Sequence, residues 1–148
     1  MRALCGLIVA IAVALSSAAL ADERATQDEA KAMALKAVEY IKSAGPEIAY
    51  KAFTERAPGW ADRDLYVFVV RDDGLTVAHG GSAVLVGKNL SNLKDVDGKP
   101  FILECLAMKA PGWVEYKWRN PQSQAVETKS SYVIPFNDTV VGVGAYKQ

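Results

Sequence analysis

Small and apolar residues recur at helical spacing near the start of the chain. Between positions 30 and 41 they mark one face of an amphipathic helix: Ala30, Met33, Ala34, Ala37, Val38 and Ile41. Thr26 and Glu29 have the spacing of a capping box at the start of this helix, and Gly45 ends it. Pro46 suits the first position of a second, shorter helix, where its missing N–H is not needed. The pattern therefore predicts two consecutive helices.

From residue 65 onward the pattern changes to strands. Residues 65–70 are rich in aromatic and β-branched side chains, and Asp72-Asp73-Gly74 is a turn into a return strand at 75–78. A third helix, with Asp97 as its cap, is predicted to run to Lys109. Further strands follow at 113–118, 126–136 and 140–146. Because no crossover helix separates these last three strands, we expect an α+β fold with an antiparallel sheet and helices on one face.

The stretch AHGGSAVLVGKNLSNLKDVDGKPF, residues 78–101, shows neither the helical nor the strand period of apolar residues for most of its length. It contains four glycines and His79, the one histidine of the chain. The stretch is therefore either a surface connection or the wall of a binding site.

The first 21 residues have the layout of a secretory signal peptide. A positive start at Arg2 precedes an apolar run from Ala3 to Leu15, and a small-x-small motif ends at Ala21. The apolar run is shorter than the ~20 residues that a membrane-spanning helix needs. We therefore predict cleavage after Ala21, a periplasmic or secreted protein, and a single domain over residues 22–148.

Charge and cysteine content narrow the function classes. Seventeen basic and seventeen acidic side chains give a formal net charge of zero, which lacks the basic footprint of nucleic-acid binding. Cys5 leaves with the signal peptide, so Cys105 has no partner for an internal disulfide. Export without disulfides favours a bacterial periplasm.

Catalytic and metal motifs are weak in this chain. Cys105 lies between Leu103 and Leu106 in an apolar helix, where a thiol acts as a small hydrophobic group. One histidine and one cysteine are too few ligands for a closed zinc site, and Asp95-Val96-Asp97-Gly98 lacks the closing glutamate of a calcium loop. We therefore expect no metal, no cofactor and no catalysis. The alternative is a small secreted enzyme that uses His79 with Cys105.

Aromatic and polar residues of the late strands offer a better site. Alternation places Tyr116 and Trp118 on one face of their strand, and it places Tyr132 and Lys129 on opposite faces of the next. A pocket lined by rings, with hydroxyls and a cation, suits a small carboxylate or another small polar metabolite. The competing interpretation is that the rings fill the core and that Lys129 lies on a solvated strand face.

Five ordered blocks give the chain a family resemblance: DLYVFVVRDDGLTVAHG, LVGKNLSNLKDVDGKPF, GWVEYKWRNP, KSSYV and VVGVGAYK. In this order they resemble the single Cache domains of bacterial extracytoplasmic sensing. The resemblance implies a PAS-like fold, in which a long N-terminal helix packs on a five-stranded antiparallel sheet. It also implies that residues 78–101 form a lid over a hollow that admits a ligand. One departure is Gly80-Gly81, where relatives have proline after the histidine.

On this hypothesis the protein binds a small organic acid or a similar metabolite. Tyr116 and Trp118 would line the pocket, Lys129 or His79 would pair with an anionic group, and Tyr132 would donate a hydrogen bond. Trp60 and Arg63, before the first strand, would close the rim.

Cache domains usually lie in receptors, before a kinase or chemotaxis module, whereas this chain ends at Gln148, just after its last strand. We therefore expect the signal to pass to a separate membrane receptor or kinase, or the protein simply to hold a solute. Two other partners are expected: a second copy of the chain, bound through the first helix, or a membrane receptor on which the protein docks as an interaction module.

Overall fold

The computed structural model describes residues 24–147, so the predicted signal peptide of residues 1–21 lies outside the described part. Its first element is α1 (Gln27–Ala44), followed by α2 (Pro46–Thr54). The capping box is confirmed, because Thr26 Oγ1 accepts a hydrogen bond from the N–H of Glu29 and the Glu29 carboxylate accepts one from the N–H of Thr26. Each helix within residues 24–147 is too short or too polar to cross a bilayer.

Six strands form one antiparallel sheet. They are β1 (Ala61–Asp62), β2 (Leu65–Arg71), β3 (Thr76–His79), β4 (Gly112–Arg119), β5 (Val126–Phe136) and β6 (Thr139–Tyr146). The order is β1-β2-β6-β5-β4, and β3 also pairs with β2. The predicted α+β fold, with a long N-terminal helix on a sheet of five main strands, is confirmed. The pattern did not predict β1, because two residues are too few to show a period.

The third helix begins later than predicted. It is α3 (Phe101–Ala107), and Asp97 does not cap it. Instead the Asp95 carboxylate accepts hydrogen bonds from the N–H groups of Asp97 and Lys99, at 3.0 and 2.9 Å. This local side-chain-to-backbone turn competes with a helix over the same residues.

The sheet is covered on both faces, whereas the sequence suggested helices on one face. Side chains of α1 and α2 pack on one face, which we call the helix face, against Val67, Val69, Val141 and Val143. On the other face, Phe101, Ile102 and Cys105 of α3 pack against Phe68 and Val140. The continuous apolar run of β2 follows from this arrangement, because a strand buried on both faces has no polar alternation.

Candidate ligand-binding site

Lys129 lies in β5, on the face of the sheet opposite the helix face, and none of its surface is exposed. Its ammonium nitrogen lies 3.9 Å from the centre of the Tyr66 ring, 5.4 Å from that of Tyr146 and 5.5 Å from that of Phe68. Within residues 24–147 this nitrogen has no hydrogen-bond partner. We call Lys129 and the three rings the aromatic cage. Lys129 is thus not on a solvated strand face.

The cage does not fully compensate the burial of the ammonium group. Removing such a group from water costs several kcal/mol, while a desolvated cation–π contact stabilises it by about 2 kcal/mol. Lysine also carries three N–H donors that aromatic rings satisfy poorly. A small anion next to the nitrogen would supply both the charge and the acceptors.

Glycines of β6 create the space for this cage. Lys129 pairs with Tyr146 in the sheet register. Side chains alternate along a strand, so a Cβ atom at Gly142 or Gly144 would lie on the same face of the sheet as Lys129. A Cβ atom on Gly144 would overlap the Lys129 side chain, and one on Gly142 would overlap the Phe68 ring. The alternating glycines therefore let two bulky side chains lie flat against the strand.

His79 ends β3 beside the cage. Its Nδ1 accepts a hydrogen bond from the N–H of Ser82 at 2.9 Å, and its ring centre lies 5.2 Å from that of Tyr66. Burial, and after it the charge of Lys129, lowers the pKa of His79 to about 3. The imidazole is therefore neutral at pH 7, with its proton on Nε2. Of the two residues expected to pair with an anion, Lys129 is the one with a charge to offer.

Tyr116 and Trp118 of β4 form the wall beneath α3. The Tyr116 ring stacks on Phe101 with centres 4.1 Å apart, and Trp118 meets the same ring edge-on at 5.4 Å. The Tyr116 hydroxyl lies 3.0 Å from Ser131 Oγ, and burial raises the pKa of Tyr116 well above its ordinary value. The cavity left between these rings and His79 is about 10 Å³, room for one water. The hollow expected beneath the lid is thus nearly filled.

An open cleft of about 650 Å³ lies next to this filled hollow. Parts of residues 78–101, which we call the lid segment, line it together with the end of β4. Four basic side chains and one acidic side chain line the cleft: Arg56, Lys94, Lys117, Arg119 and Asp95. This excess of positive charge raises the local concentration of anions. The lid segment therefore borders an open, cationic cleft instead of roofing a closed hollow.

The lid segment is anchored to the free edge of β4 by Asp95. In addition to its two local hydrogen bonds, the Asp95 carboxylate accepts one from the N–H of Lys117 at 2.9 Å. These backbone donors lower the pKa of Asp95. The residue considered as a calcium ligand is thus a structural acceptor. Within residues 24–147 no three histidine, cysteine or carboxylate side chains are grouped so as to share a metal ion.

Three of the residues predicted for the site lie elsewhere. Tyr132 is on the helix face, with its ring 5.1 Å from Trp113, because residues 129 and 132 point to opposite sides of a strand. Trp60 is buried against Phe53 on that same face, with ring centres 4.7 Å apart. Arg63 pairs with Glu29 at the start of α1. The structure brings together only His79, Tyr116, Trp118 and Lys129.

Tyr66, Phe68 and Tyr146 were missed by the sequence analysis. The first two belong to the uniformly apolar β2, where no alternation distinguishes one face from the other. The glycine alternation of β6 was the available signal, because it indicates where bulky neighbours approach that strand.

The proposed His79–Cys105 dyad is contradicted by the thiol environment. Cys105 is 1% exposed in the core beneath α3, and burial raises the pKa of its thiol to about 12. A catalytic cysteine needs a thiolate in a partly open, electropositive site.

Solved sensor domains have a similar fold. A methyl-accepting chemotaxis protein from Vibrio parahaemolyticus matches with a TM-score of 0.71 and 26% identity, over 81% of this chain and 87% of that one. A Cache chemosensory domain, solved to explain carboxylic acid recognition, matches with a TM-score of 0.67 and 24% identity, over 82% of this chain and 92% of that one. The periplasmic sensor domain of a chemotaxis protein matches with a TM-score of 0.64 and 24% identity, over 82% and 90%. The last two likenesses concern the fold alone.

A sequence relative and a family model extend this comparison. The sensor histidine kinase MctS of Rhizobium johnstonii is 35% identical over 88 residues, which is 57% of this chain. The chain spans 19% of the length of that relative. The model of the family described as Single Cache domain 2 matches residues 8–148, which confirms the resemblance found in the five sequence blocks. The chain therefore belongs to the Single Cache domain 2 family of sensory domains.

Proposed function

We propose that this chain is a periplasmic, non-catalytic sensory domain that binds a small carboxylate through Lys129. The observation that carries the proposal is the fully buried ammonium group without a hydrogen-bond partner among residues 24–147. A carboxylate accepts up to about four hydrogen bonds and matches the charge. His79, Tyr116 and Trp118 would border the bound ligand.

The comparisons support the ligand class and the cellular location. One structural neighbour is described as recognising carboxylic acids and another as a periplasmic sensor domain. The predicted signal peptide, with cleavage after Ala21, agrees with export. The likeness to part of a sensor histidine kinase supports signal transfer to a membrane receptor or kinase. The other candidate partner is a second copy of this chain that docks along α1.

The proposal is tested by thermal unfolding with acetate, propionate and the neutral isostere acetamide. Ligand at ~100 times its dissociation constant stabilises the folded state by roughly 2.7 kcal/mol. We expect stabilisation by the carboxylates and none by acetamide, because only an anion neutralises Lys129.

Lys129→Met separates ligand binding from fold stability. We expect this variant to unfold at a higher temperature than the free wild type, because it removes an uncompensated buried charge at nearly constant volume. Its carboxylate-induced shift should disappear. Lys109→Met, at an exposed position, is the matched control and should keep the shift. Carboxylate stabilisation that persists in Lys129→Met would exclude this site.

A further inference from the structure

Tyr66 belongs both to the lining of the cationic cleft and to the aromatic cage. The residue lines the cleft although only 1% of its surface is exposed, and its ring lies against the Lys129 nitrogen at 3.9 Å. Lys129 itself is completely buried. An anion in the cleft is therefore next to the ring that covers the ammonium group.

Gly81 determines how close the lid segment comes to this ring. A Cβ atom on Gly81 would lie 2.5 to 2.8 Å from the outer atoms of the Tyr66 ring, closer than carbon atoms approach without displacement. The absent side chain lets the lid backbone press on Tyr66. Gly81 follows Gly80, the residue that comes directly after His79.

Arg56 holds the backbone of that pair in place. Its guanidinium group donates a hydrogen bond to the carbonyl oxygen of Gly80 at 3.0 Å, and it also lines the cleft. The N–H of Gly80 donates to the carbonyl of Val67 at 2.9 Å. Carboxylates bind guanidinium groups more strongly than a neutral carbonyl does. An anion entering the cleft can therefore compete with the Gly80 carbonyl for the Arg56 guanidinium group.

We propose that Tyr66 is the gate of the carboxylate site, held shut by Gly81 and by the Arg56–Gly80 hydrogen bond. This inference rests on the proposed function of Lys129 and adds a route to it. Anion contact with Arg56 loosens the Gly80-Gly81 backbone, the Tyr66 ring turns away, and Lys129 becomes reachable from the cleft. The extent of that rotation limits the size of the ligand.

The gate is tested without any carboxylate, by reductive methylation of the native protein with formaldehyde and an amine-borane, followed by peptide mass spectrometry. In the wild type we expect Lys129 to react on the order of tenfold or more slowly than the exposed Lys109, because reaction requires local opening. Gly81→Ala displaces the ring and Arg56→Gln frees the lid. Each substitution should raise the methylation rate of Lys129 on the order of tenfold and leave the methylation rate of Lys109 unchanged.

Gly112→Ala is the matched control for the added methyl group. The new Cβ would meet only the flexible end of Met108, so Lys129 should stay protected. Labelling of Cys105 by a thiol reagent reports general unfolding and should remain absent in all variants. In a Tyr66→Leu background, Lys129 should react fast and Gly81→Ala should have no further effect.

Two results would overturn the gate: a Lys129 rate that is unchanged in Gly81→Ala, or an equal effect of Gly81→Ala with and without Tyr66. Because these measurements contain no ligand, they stand even if carboxylates fail to bind. Acetate that slows Lys129 methylation in Gly81→Ala would in turn support the proposed function separately from the gate.

Discussion

At the residue scale, burial and one neighbouring lysine together set the protonation state of His79. Lys129 has three aromatic rings within 5.5 Å of its nitrogen, and its charge contributes to keeping His79 unprotonated. The neutral imidazole can then accept the hydrogen bond from Ser82 that shapes the first turn of the lid segment. The charge of Lys129, the tautomer of His79 and the first turn of the lid segment are thus linked.

His79 should make the protein sensitive to mild acid. The ordinary pKa of histidine is 6.5, and burial, followed by the charge of Lys129, lowers the pKa of His79 to about 3 in the folded protein. The unfolded chain therefore binds a proton between these values and the folded protein does not. The free energy of unfolding should fall with decreasing pH across this window, by at most about 1.4 kcal/mol per pH unit. Chemical denaturation at several pH values between 7 and 5 measures the slope.

His79→Asn is the control for this pH dependence. Its amide oxygen can still accept the Ser82 hydrogen bond, but the side chain does not titrate. The difference in slope between wild type and variant isolates histidine, because Asp64, whose pKa is raised by burial, and Glu29, whose pKa is lowered to about 2 by its hydrogen bonds to Thr26 and Arg63, titrate in both proteins. An unchanged slope in His79→Asn would refute the assignment.

At the scale of elements, β6 provides the flat surface on which the site is built. In its sequence TVVGVGAY, Val141 and Val143 on the helix face alternate with Gly142 and Gly144 on the other. These two valines pack in the core under α1, while the glycines leave room for Phe68 and Lys129. One strand therefore packs under the helices on one side and against the aromatic cage on the other.

Gly144→Ala should destabilise the fold by about 1–3 kcal/mol, the usual cost of overpacking. The new methyl group would overlap the Lys129 side chain and Ser131 Oγ. Urea denaturation measures the change, and Gly112→Ala should cost less because a flexible methionine end can move. In a Lys129→Ala background the cost should shrink. An equal cost with and without Lys129 would show that the two side chains do not compete for space.

At the scale of the whole molecule, the start of α1 is joined to the last two strands. The Arg24 guanidinium binds both oxygens of Glu127, at 2.9 and 3.1 Å, and donates to the carbonyl of Lys147 at 3.1 Å. Glu127 also accepts hydrogen bonds from Asn120 and Ser123. These contacts join parts of the chain 103 positions apart, close to the cage residues Lys129 and Tyr146.

A double-mutant cycle with Arg24→Ala and Glu127→Ala should give a coupling energy of about 1 kcal/mol in urea denaturation. Glu127→Ala should cost more than Arg24→Ala, because it leaves the buried Asn120 amide without its acceptor. The exposed pair Glu39–Lys42, with side chains 71% and 49% exposed, is the control and should couple by about 0.3–0.5 kcal/mol. If the Arg24–Glu127 coupling energy is no larger than that of Glu39–Lys42, the Arg24–Glu127 pair does not stabilise the junction between the chain start and the last strands.

The sequence by itself determined the order of the three helices and five main strands, the fold class and the family. Caps, turns and hydrophobic period are local properties, so Thr26, Gly45 and the Asp72-Asp73-Gly74 turn were interpretable without contacts. Alternation likewise placed Tyr116 and Trp118 on one face correctly. The late start of α3 was missed because the Asp95 carboxylate, a local competitor of the helix, binds the backbone of residues 97 and 99.

Only the tertiary structure decided which side chains meet. The cage joins β2, β5 and β6, and β2 is apolar on both faces, so no period indicated that Tyr66 and Phe68 point toward Lys129. Trp60 and Arg63 were assigned to the rim by position along the chain, yet they lie with the helices. Burial also decided the chemistry, since it lowers the pKa of His79, raises that of the Cys105 thiol and leaves Lys129 as the cation of the aromatic cage. Protonation and pairing depend on neighbours that are distant in sequence, and packing alone brings them together.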